Sequence, residues 1–381
     1  MRLLHTRTLT LKEFPNSQRA EPYAILSHVW RKEEVLFHHI QDLNIAKKLR
    51  GFPKVFGCCE RARDEGYEWV WIDTCCIDKS SSSELSEAIN SMFAWYKEAE
   101  VCYVYLDDVP AKPAALYISA TLITDDIETV RKWEDDSDDE SSDDSSIYKD
   151  MEPDAPDEFV EDGSESERWL AMFKDSRWFT RGWTLQELIA PRESVFLAQN
   201  WSEVGTRKDM VHVIEEASRV HCNVLLGVLP LEEVSIADRM RWASRRSTTR
   251  VEDRAYSLMG LFGIHMPTIY GEGIEAFMRL QHEILQRTTD HTIFAWTFSD
   301  RPNWDSCLTH GPECFSHIRL MEQIPYTEYS KIFGISDFLP PEHSLTNFGI
   351  RIHLPIRPHK SEKGRYLAAL ACYDCRTPRY K

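Results

Sequence analysis

Apolar residues follow two rhythms along the first 200 positions of this chain, and the two alternate. Tyr23-Ala-Ile-Leu-Ser-His-Val-Trp30 is a short apolar run led by Pro22 and closed by polar residues, the pattern of a buried strand. Residues 54–65 then take helical spacing, with Val55, Cys58, Cys59 and Ala62 inward and Gly66 as the C-terminal cap. Trp69-Val-Trp-Ile-Asp73 predicts a second buried strand, which runs into Thr74-Cys-Cys-Ile-Asp78. Residues 83–96 carry Leu85, Ile89, Met92, Phe93 and Tyr96 on one helical stripe, with Ser83 as N-cap. Val101-Cys-Tyr-Val-Tyr-Leu106 predicts a third strand ending at Asp107-Asp108, and Ser194-Val-Phe-Leu-Ala198 a fourth. Strands and helices in alternation argue for a parallel sheet covered by helices on both faces. The strand ends would gather Ser27, His28, Asp73 and Asp107 at one rim, where open parallel sheets bind ligands.

From about residue 208 the pattern becomes helical, over 210–218, 236–246, 251–262 and 273–287. Arg250-Val-Glu-Asp-Arg254 interrupts it and reads as a surface or interhelical salt-bridge network, while Tyr270-Gly-Glu-Gly273 marks a tight turn. Near the end, Phe348-Gly-Ile-Arg-Ile-His-Leu354 and Tyr366-Leu-Ala-Ala-Leu-Ala-Cys372 predict strands of a small β-rich region that need not be complete at Lys381. The organisation expected is an α/β core over 1–205, a helical extension over 206–295 and the β-rich region over 296–381.

One stretch places an acid in apolar surroundings: Arg181-Gly-Trp-Thr-Leu-Gln-Glu-Leu-Ile-Ala-Pro191. Trp183 and Glu187 stand four apart, one turn from each other on a helix face, and Pro191 ends that helix soon after it begins. A carboxylate beside an indole is a plausible functional group; an amphipathic turn with Glu187 solvated or paired to Arg181 is the alternative.

Charge adds one feature. Of the formal net charge of -17, residues 125–167 account for all of it, with 20 acidic side chains against Arg131, Lys132 and Lys149. Such a segment cannot bury enough apolar surface to order itself and is expected to be a disordered insertion; it lacks the glycine-containing spacing of an EF-hand calcium loop. The remainder is neutral, and no clustered basic face points to nucleic acid. Ten cysteines, four of them in the adjacent pairs Cys58-Cys59 and Cys75-Cys76, fit reduced thiols of a cytoplasmic protein. Cys372 and Cys375 have no partner pair at zinc-ligand spacing, so no metal is expected there. No secretory signal and no apolar run near the length of a membrane span is present.

Three blocks, Tyr23-Ala-Ile-Leu-Ser-His-Val-Trp30, Trp71-Ile-Asp-Thr-Cys-Cys-Ile-Asp-Lys79 and Arg181-Gly-Trp-Thr-Leu-Gln-Glu-Leu188, together resemble the fungal heterokaryon incompatibility (HET) domain. Ser83-Glu-Leu-Ser-Glu-Ala-Ile-Asn90 and Thr248-Thr-Arg-Val-Glu-Asp-Arg-Ala-Tyr-Ser-Leu258 also look like that family, so the resemblance covers roughly residues 1–290. Arg31 departs from it, standing where the family usually has glycine. The resemblance implies a part in fungal non-self recognition and programmed cell death, with an upstream non-self sensor and self-association on activation. HET domains are in turn distantly similar to Toll/interleukin-1 receptor (TIR) domains, flavodoxin-like folds of five parallel strands. Enzymatic members of that group cleave NAD with a glutamate placed four residues after a tryptophan.

That carry-over makes Glu187 the catalytic carboxylate and Ser27, His28, Trp30, Asp73, Arg181 and Trp183 substrate-binding residues, with NAD as substrate rather than cofactor. Cleavage of the nicotinamide–ribose bond develops oxocarbenium character on the sugar, which a carboxylate can stabilise. Trp30 or Trp183 can stack on a ring, and Arg181 can meet the pyrophosphate. Two other readings stay open: a non-enzymatic module that signals by assembly, and a metal-assisted hydrolase built on Asp73, Asp78, Asp107 and His28.

Overall fold

The structure is a computed structural model and describes residues 1–15, 21–114, 116, 165–297, 307–318, 320–335 and 343–375. Its centre is a seven-stranded sheet of strands β1 (Arg2–His5), β2 (Leu11–Glu13), β3 (Tyr23–His28), β4 (Trp69–Trp71), β5 (Val101–Tyr105), β6 (Ser194–Leu197) and β7 (Glu203–Thr206), in the spatial order β2-β1-β4-β3-β5-β6-β7. The central four, β4-β3-β5-β6, pair in parallel. By order of appearance these four run second, first, third, fourth, as in flavodoxin-like sheets. The parallel sheet read from the sequence is found at the centre, and antiparallel strands extend it at both edges. There β1 pairs antiparallel with both β2 and β4, and β7 with β6; the β1–β2 and β6–β7 pairs are joined by short connections that a parallel crossover does not allow.

The crossover helices are α1 (Phe52–Asp64) between β3 and β4, and α2 (Ser82–Glu98) between β4 and β5. After β5 come α3 (Glu165–Lys174), a 3-10 turn at Arg177–Thr180 and the short α4 (Thr184–Ile189). The two sheet faces are visible in consecutive residues of β5. The Tyr103 hydroxyl donates to Glu65 at the end of α1, at 2.5 Å, while the Cys102 thiol lies 4.0 Å from the Glu187 carbonyl of α4. Neighbouring strand residues point to opposite faces, so α1 covers one face and α4 the other. Helices α2 and α4 pack against each other on that second face.

The inward residues of α1 are those the spacing predicts, all buried, and Gly66 takes φ +91° beyond its end. The N-cap of α2 is Ser81 rather than Ser83: its side chain accepts from the Glu84 N–H at 3.4 Å. Most of the acidic stretch at 125–167 lies outside the described residues; its last three, Glu165–Glu167, open α3, which buries Trp169 and Phe173.

Beyond the sheet, α5 (Val211–Ser218), α6 (Ile236–Ala243) and α7 (Glu275–Leu285) form the helical part. The helix predicted over 251–262 is instead a short turn at Asp253–Tyr256 followed by a 3-10 turn at Met259–Phe262. The C-terminal part holds three two-stranded antiparallel ladders and a helix at Tyr326–Phe333 that the sequence pattern missed. Cys58, Cys59, Cys75, Cys76 and Cys102 are buried free thiols. Among the described residues no helix is long and apolar enough to cross a membrane.

The second face rests on a cluster of large rings. Trp71 of β4 is fully buried, with the Trp95 and Tyr96 rings of α2 at 5.6 and 5.8 Å between centroids. Trp71→Ala is expected to cost roughly 3–5 kcal/mol, the usual range for emptying an aromatic site in a core. A denaturant titration showing a loss well under 1 kcal/mol would mean that this cluster does not carry the face.

Candidate functional site

Helix α4 is short because its surroundings, not its own length, hold it. At its start the Thr184 hydroxyl is within reach of the Arg181 carbonyl, at 3.0 Å, and Arg246 Nη1 donates to both that carbonyl and Thr184 Oγ1 at 2.9 Å. At its end the buried Arg207 guanidinium donates to the Leu188 carbonyl at 2.8 Å, satisfying an acceptor that the helix leaves open. The preceding segment is clamped in a backbone bridge. Ser247 N–H donates to Thr180 O at 2.7 Å, and Gly182 N–H to Ser247 O at 2.9 Å. A Cβ at position 182 would sit 2.4 Å from Thr248 Cγ2, so the glycine of the Arg-Gly-Trp motif is required by close approach.

These constraints point Glu187 into a cavity of about 300 Å³ between the carboxyl ends of β3 and β4, the inner face of α2 and the segment 249–270. Its apolar wall is Leu85, Ile89, Met92 and Tyr96, four of the five stripe positions read from the sequence, together with Ile77. His28, Trp30, Asp73, Arg181, Trp183 and Glu187 all line it. Ser27, the remaining expected residue, is fully buried behind Glu187 and reaches the cavity only through it: its hydroxyl donates to Glu187 Oε2. Glu187 is therefore neither solvated nor, among the described residues, ion-paired with Arg181. That alternative fails because the helix turns the carboxyl inward.

Asp107 does not line the cavity. Arg31, the departure noted at the strand end, grips it in a two-pronged ion pair, with Nη2 to Oδ1 at 2.7 Å and Nε to Oδ2. Asp78 Oδ1 is taken up by the Ser80 N–H and hydroxyl, at 3.0 and 2.6 Å. The four residues of the metal reading thus do not converge. Among the described residues, Glu215, His221 and Cys222 are the one grouping of such ligand atoms close enough to share an ion, and they lie outside the cavity.

The electrostatics are uneven. Burial is the largest influence on Glu187 and pushes its carboxyl up to about 8; the Ser27 hydrogen bond pulls it down, Asp73 pushes it up, and Tyr96 and Arg181 pull it down. Burial also pushes His28 well below the ordinary histidine range, helped by Lys54 and Lys79, so the imidazole is neutral at pH 7. Both ring nitrogens of His28 are buried without a hydrogen-bond partner, although Asp73 Oδ1 lies 3.6 Å from Nε2. Trp30, 39% exposed, is nonetheless fixed: its indole N–H donates to Asp73 Oδ2 at 2.8 Å and the Lys79 ammonium lies 3.4 Å from its ring centroid.

The far wall comes from a stretch that the sequence pattern assigned to a surface or interhelical salt-bridge network, of which Arg254 does pair with Glu313 at 3.0 Å. Arg250 and Asp253 face the cavity, with Arg250 4.2 Å above the Tyr270 ring and the Tyr270 hydroxyl donating to Asp253 at 3.0 Å. Glu252 is used internally, accepting from the Gly271 and Gly273 N–H groups at 2.8 and 3.2 Å. Neither Arg181 nor Arg250 has a carboxylate partner among the described residues. Two guanidiniums without a direct carboxylate contact, beside an apolar wall, can receive an anion attached to a flat ring. The density of arginine in Arg250-Val-Glu-Asp-Arg254 was the available signal; its position opposite Glu187 was not encoded locally.

The carboxyl of Glu187 favours its protonated form in the fold, so the sign of its linkage is fixed. Between pH 4.5, its ordinary value, and about 8 the folded state holds a proton that the unfolded chain has lost, and stability falls as pH rises. Glu187→Gln removes this contribution. Its stability relative to wild type is expected to grow from pH 5 to pH 8, by on the order of a few kcal/mol. Parallel urea titrations at both pH values check this; a constant difference would contradict the buried acid. Gly182→Ala is expected to cost about 1–3 kcal/mol through the clash with Thr248, read in the same titrations.

With this geometry in view, the comparisons with known proteins become specific. The family model of the heterokaryon incompatibility protein (HET) matches residues 23–187, from the first residue of β3 to the buried acid. A domain of unknown function, DUF8212, matches residues 275–304. The chain is 39% identical over 276 residues to the vegetative incompatibility protein HET-E-1 of Podospora anserina, an alignment covering 72% of this chain and 17% of that protein. The chain thus spans about a sixth of the length of the curated relative it matches. No solved structure matches it. Residues 23–187 thus carry a heterokaryon incompatibility domain, and the chain belongs to the HET-domain proteins.

Proposed function

We propose that this chain acts in non-self recognition and cell death by hydrolysing NAD at the nicotinamide–ribose bond, with Glu187 as the catalytic carboxylate. The observation that carries the reading is the cavity itself: a buried acid at its foot, aromatic and apolar walls, and at its edge two arginines without carboxylate partners. A cavity of about 300 Å³ is at the small end of ligand pockets and suits the nicotinamide–ribose half. The pyrophosphate would then lie against Arg181 and Arg250. Asp73 and His28 line the cavity where the ribose hydroxyls would lie.

The chemistry balances without a cofactor. The glycosidic C–N bond breaks with its electron pair going to the nicotinamide nitrogen, which turns from cationic to neutral and so needs no strong acid. Water adds to the sugar carbon and releases one proton, giving ADP-ribose and nicotinamide. Ionised Glu187 stabilises the oxocarbenium-like sugar in a site where little water competes. A cationic nicotinamide bound nearby favours that ionised form. This is the role a TIR-like enzyme would give the same spacing of Trp183 and Glu187.

The test is NAD consumption with product identification by purified protein at concentrations that permit self-association. Wild type is expected to release nicotinamide, and Glu187→Gln to lose the activity by at least about a hundredfold while keeping its fold. The acid limb of kcat/KM is expected near pH 8, the value of the free carboxyl, with the kcat limb lower. Arg250→Gln is expected to raise KM more than it lowers kcat. Cell death driven by a folded Glu187→Gln protein would sink the enzymatic reading and leave signalling by assembly.

A further inference from the structure

Three distant parts of the chain meet behind Glu187. Ser27 is the last residue but one of β3, Trp178 lies in the 3-10 turn at Arg177–Thr180, and Glu187 is on α4. The Trp178 indole N–H donates to Ser27 Oγ at 2.7 Å, and Ser27 Oγ donates to Glu187 Oε2. An indole N–H can only donate and a serine hydroxyl has one proton. With Ser27 accepting from Trp178, its proton is left for the carboxyl. Both Trp178 and Ser27 are fully buried, so no solvent competes for either group. The indole is itself wedged, edge-on to Phe179 at 5.1 Å and to Phe196 at 5.8 Å.

We propose that Trp178 and Ser27 are positioning residues for Glu187: the tryptophan orients the serine hydroxyl, and the serine commits one carboxyl oxygen, so that ligand contacts fall chiefly to the other. The Trp178 carbonyl also accepts from the Thr184 hydroxyl at the first residue of α4, so one residue places both the helix and its acid. The charged and titratable groups around that acid are Tyr96 from α2, Asp73 after β4, Cys102 of β5, Arg181 before α4 and Arg246 after α6. None of these is a donor to Ser27. Only its consequence for catalysis rests on the proposed NAD chemistry; the hydrogen-bond relay stands without it.

The direct readout is infrared difference spectroscopy of the protonated Glu187 carboxyl over a pH titration, with Glu187→Gln subtracted to identify the band. Ser27→Ala is expected to move the midpoint up by about one pH unit and to shift the band, since a buried carboxylate loses its donor. Trp178→Phe should move both in the same direction by less, because the freed hydroxyl still donates part of the time. Ser27→Thr, which keeps the hydroxyl, should restore the wild-type midpoint; if it does not fold, Trp178→Phe still decides. A Ser27→Ala midpoint equal to wild type overturns the proposal. Where NAD cleavage is present, the acid limb of kcat/KM should move with the infrared midpoint. Cleavage that survives Glu187→Gln would instead refute the catalytic assignment, with the midpoints still judging the relay.

Discussion

A carboxyl group taken out of water into a mostly apolar cavity destabilises the fold whenever it is charged, and most of what surrounds Glu187 responds to that cost. Without a donor, such a group would swing toward solvent or force the helix end to unravel. Here Ser27 supplies the hydrogen bond, Arg246 and Arg207 secure the two ends of α4, and the backbone bridge between 180–182 and 247 fixes the approach. A six-residue helix has too few internal hydrogen bonds to hold an unfavourable side chain on its own. The site is stable because the constraint is distributed over the sheet, the helix ends and the downstream segment.

That distribution explains why the cavity is not at the crevice where the strand order reverses. In a sheet of this order the opening beside the first and third strands of the parallel core is the usual place for ligands. Arg31 and Asp107 occupy the exit of those two strands with an ion pair, backed by Arg177 at 3.5 Å from Asp107. The cavity lies one strand over, at the ends of β3 and β4, where α2 offers an apolar face and the 249–270 segment supplies the outer wall.

Much of this was legible in the pattern of apolar positions. Buried parallel strands are continuous apolar runs, so β3, β4, β5 and β6 stood out, and the 3.6-residue stripe of α2 showed four residues that prove to be cavity wall. Strands β1, β2 and β7 did not stand out: at three or four residues, with Arg2, His5, Lys12 and Glu203 among them, they have no period to detect and exist because neighbouring edges offer unpaired backbone groups. Trp183 and Glu187 were found because their relation is local, one helical turn. Trp178, Arg246, Arg250 and Asp253 were missed because their relation to the acid spans many residues of chain and is created only by folding. Charge density in 250–254 looks the same in sequence whether it meets water or a cavity.

The outer wall has a consequence for how such a site can diversify. The acid, its serine and its tryptophans lie within residues 23–187, whereas Arg250, Asp253 and Tyr270, which face the ligand space from the other side, come from a segment encoded well after it. Buried acid and outer wall thus lie on separate stretches of the sequence, joined in space by the seam at Gly182 and Ser247. Substitutions at Arg250, Asp253 or Tyr270 can reshape the outer wall while Ser27, Trp178 and Glu187 keep their hydrogen bonds, whereas changes at Arg207, Arg246 or Ser247 reach the supports of α4 itself.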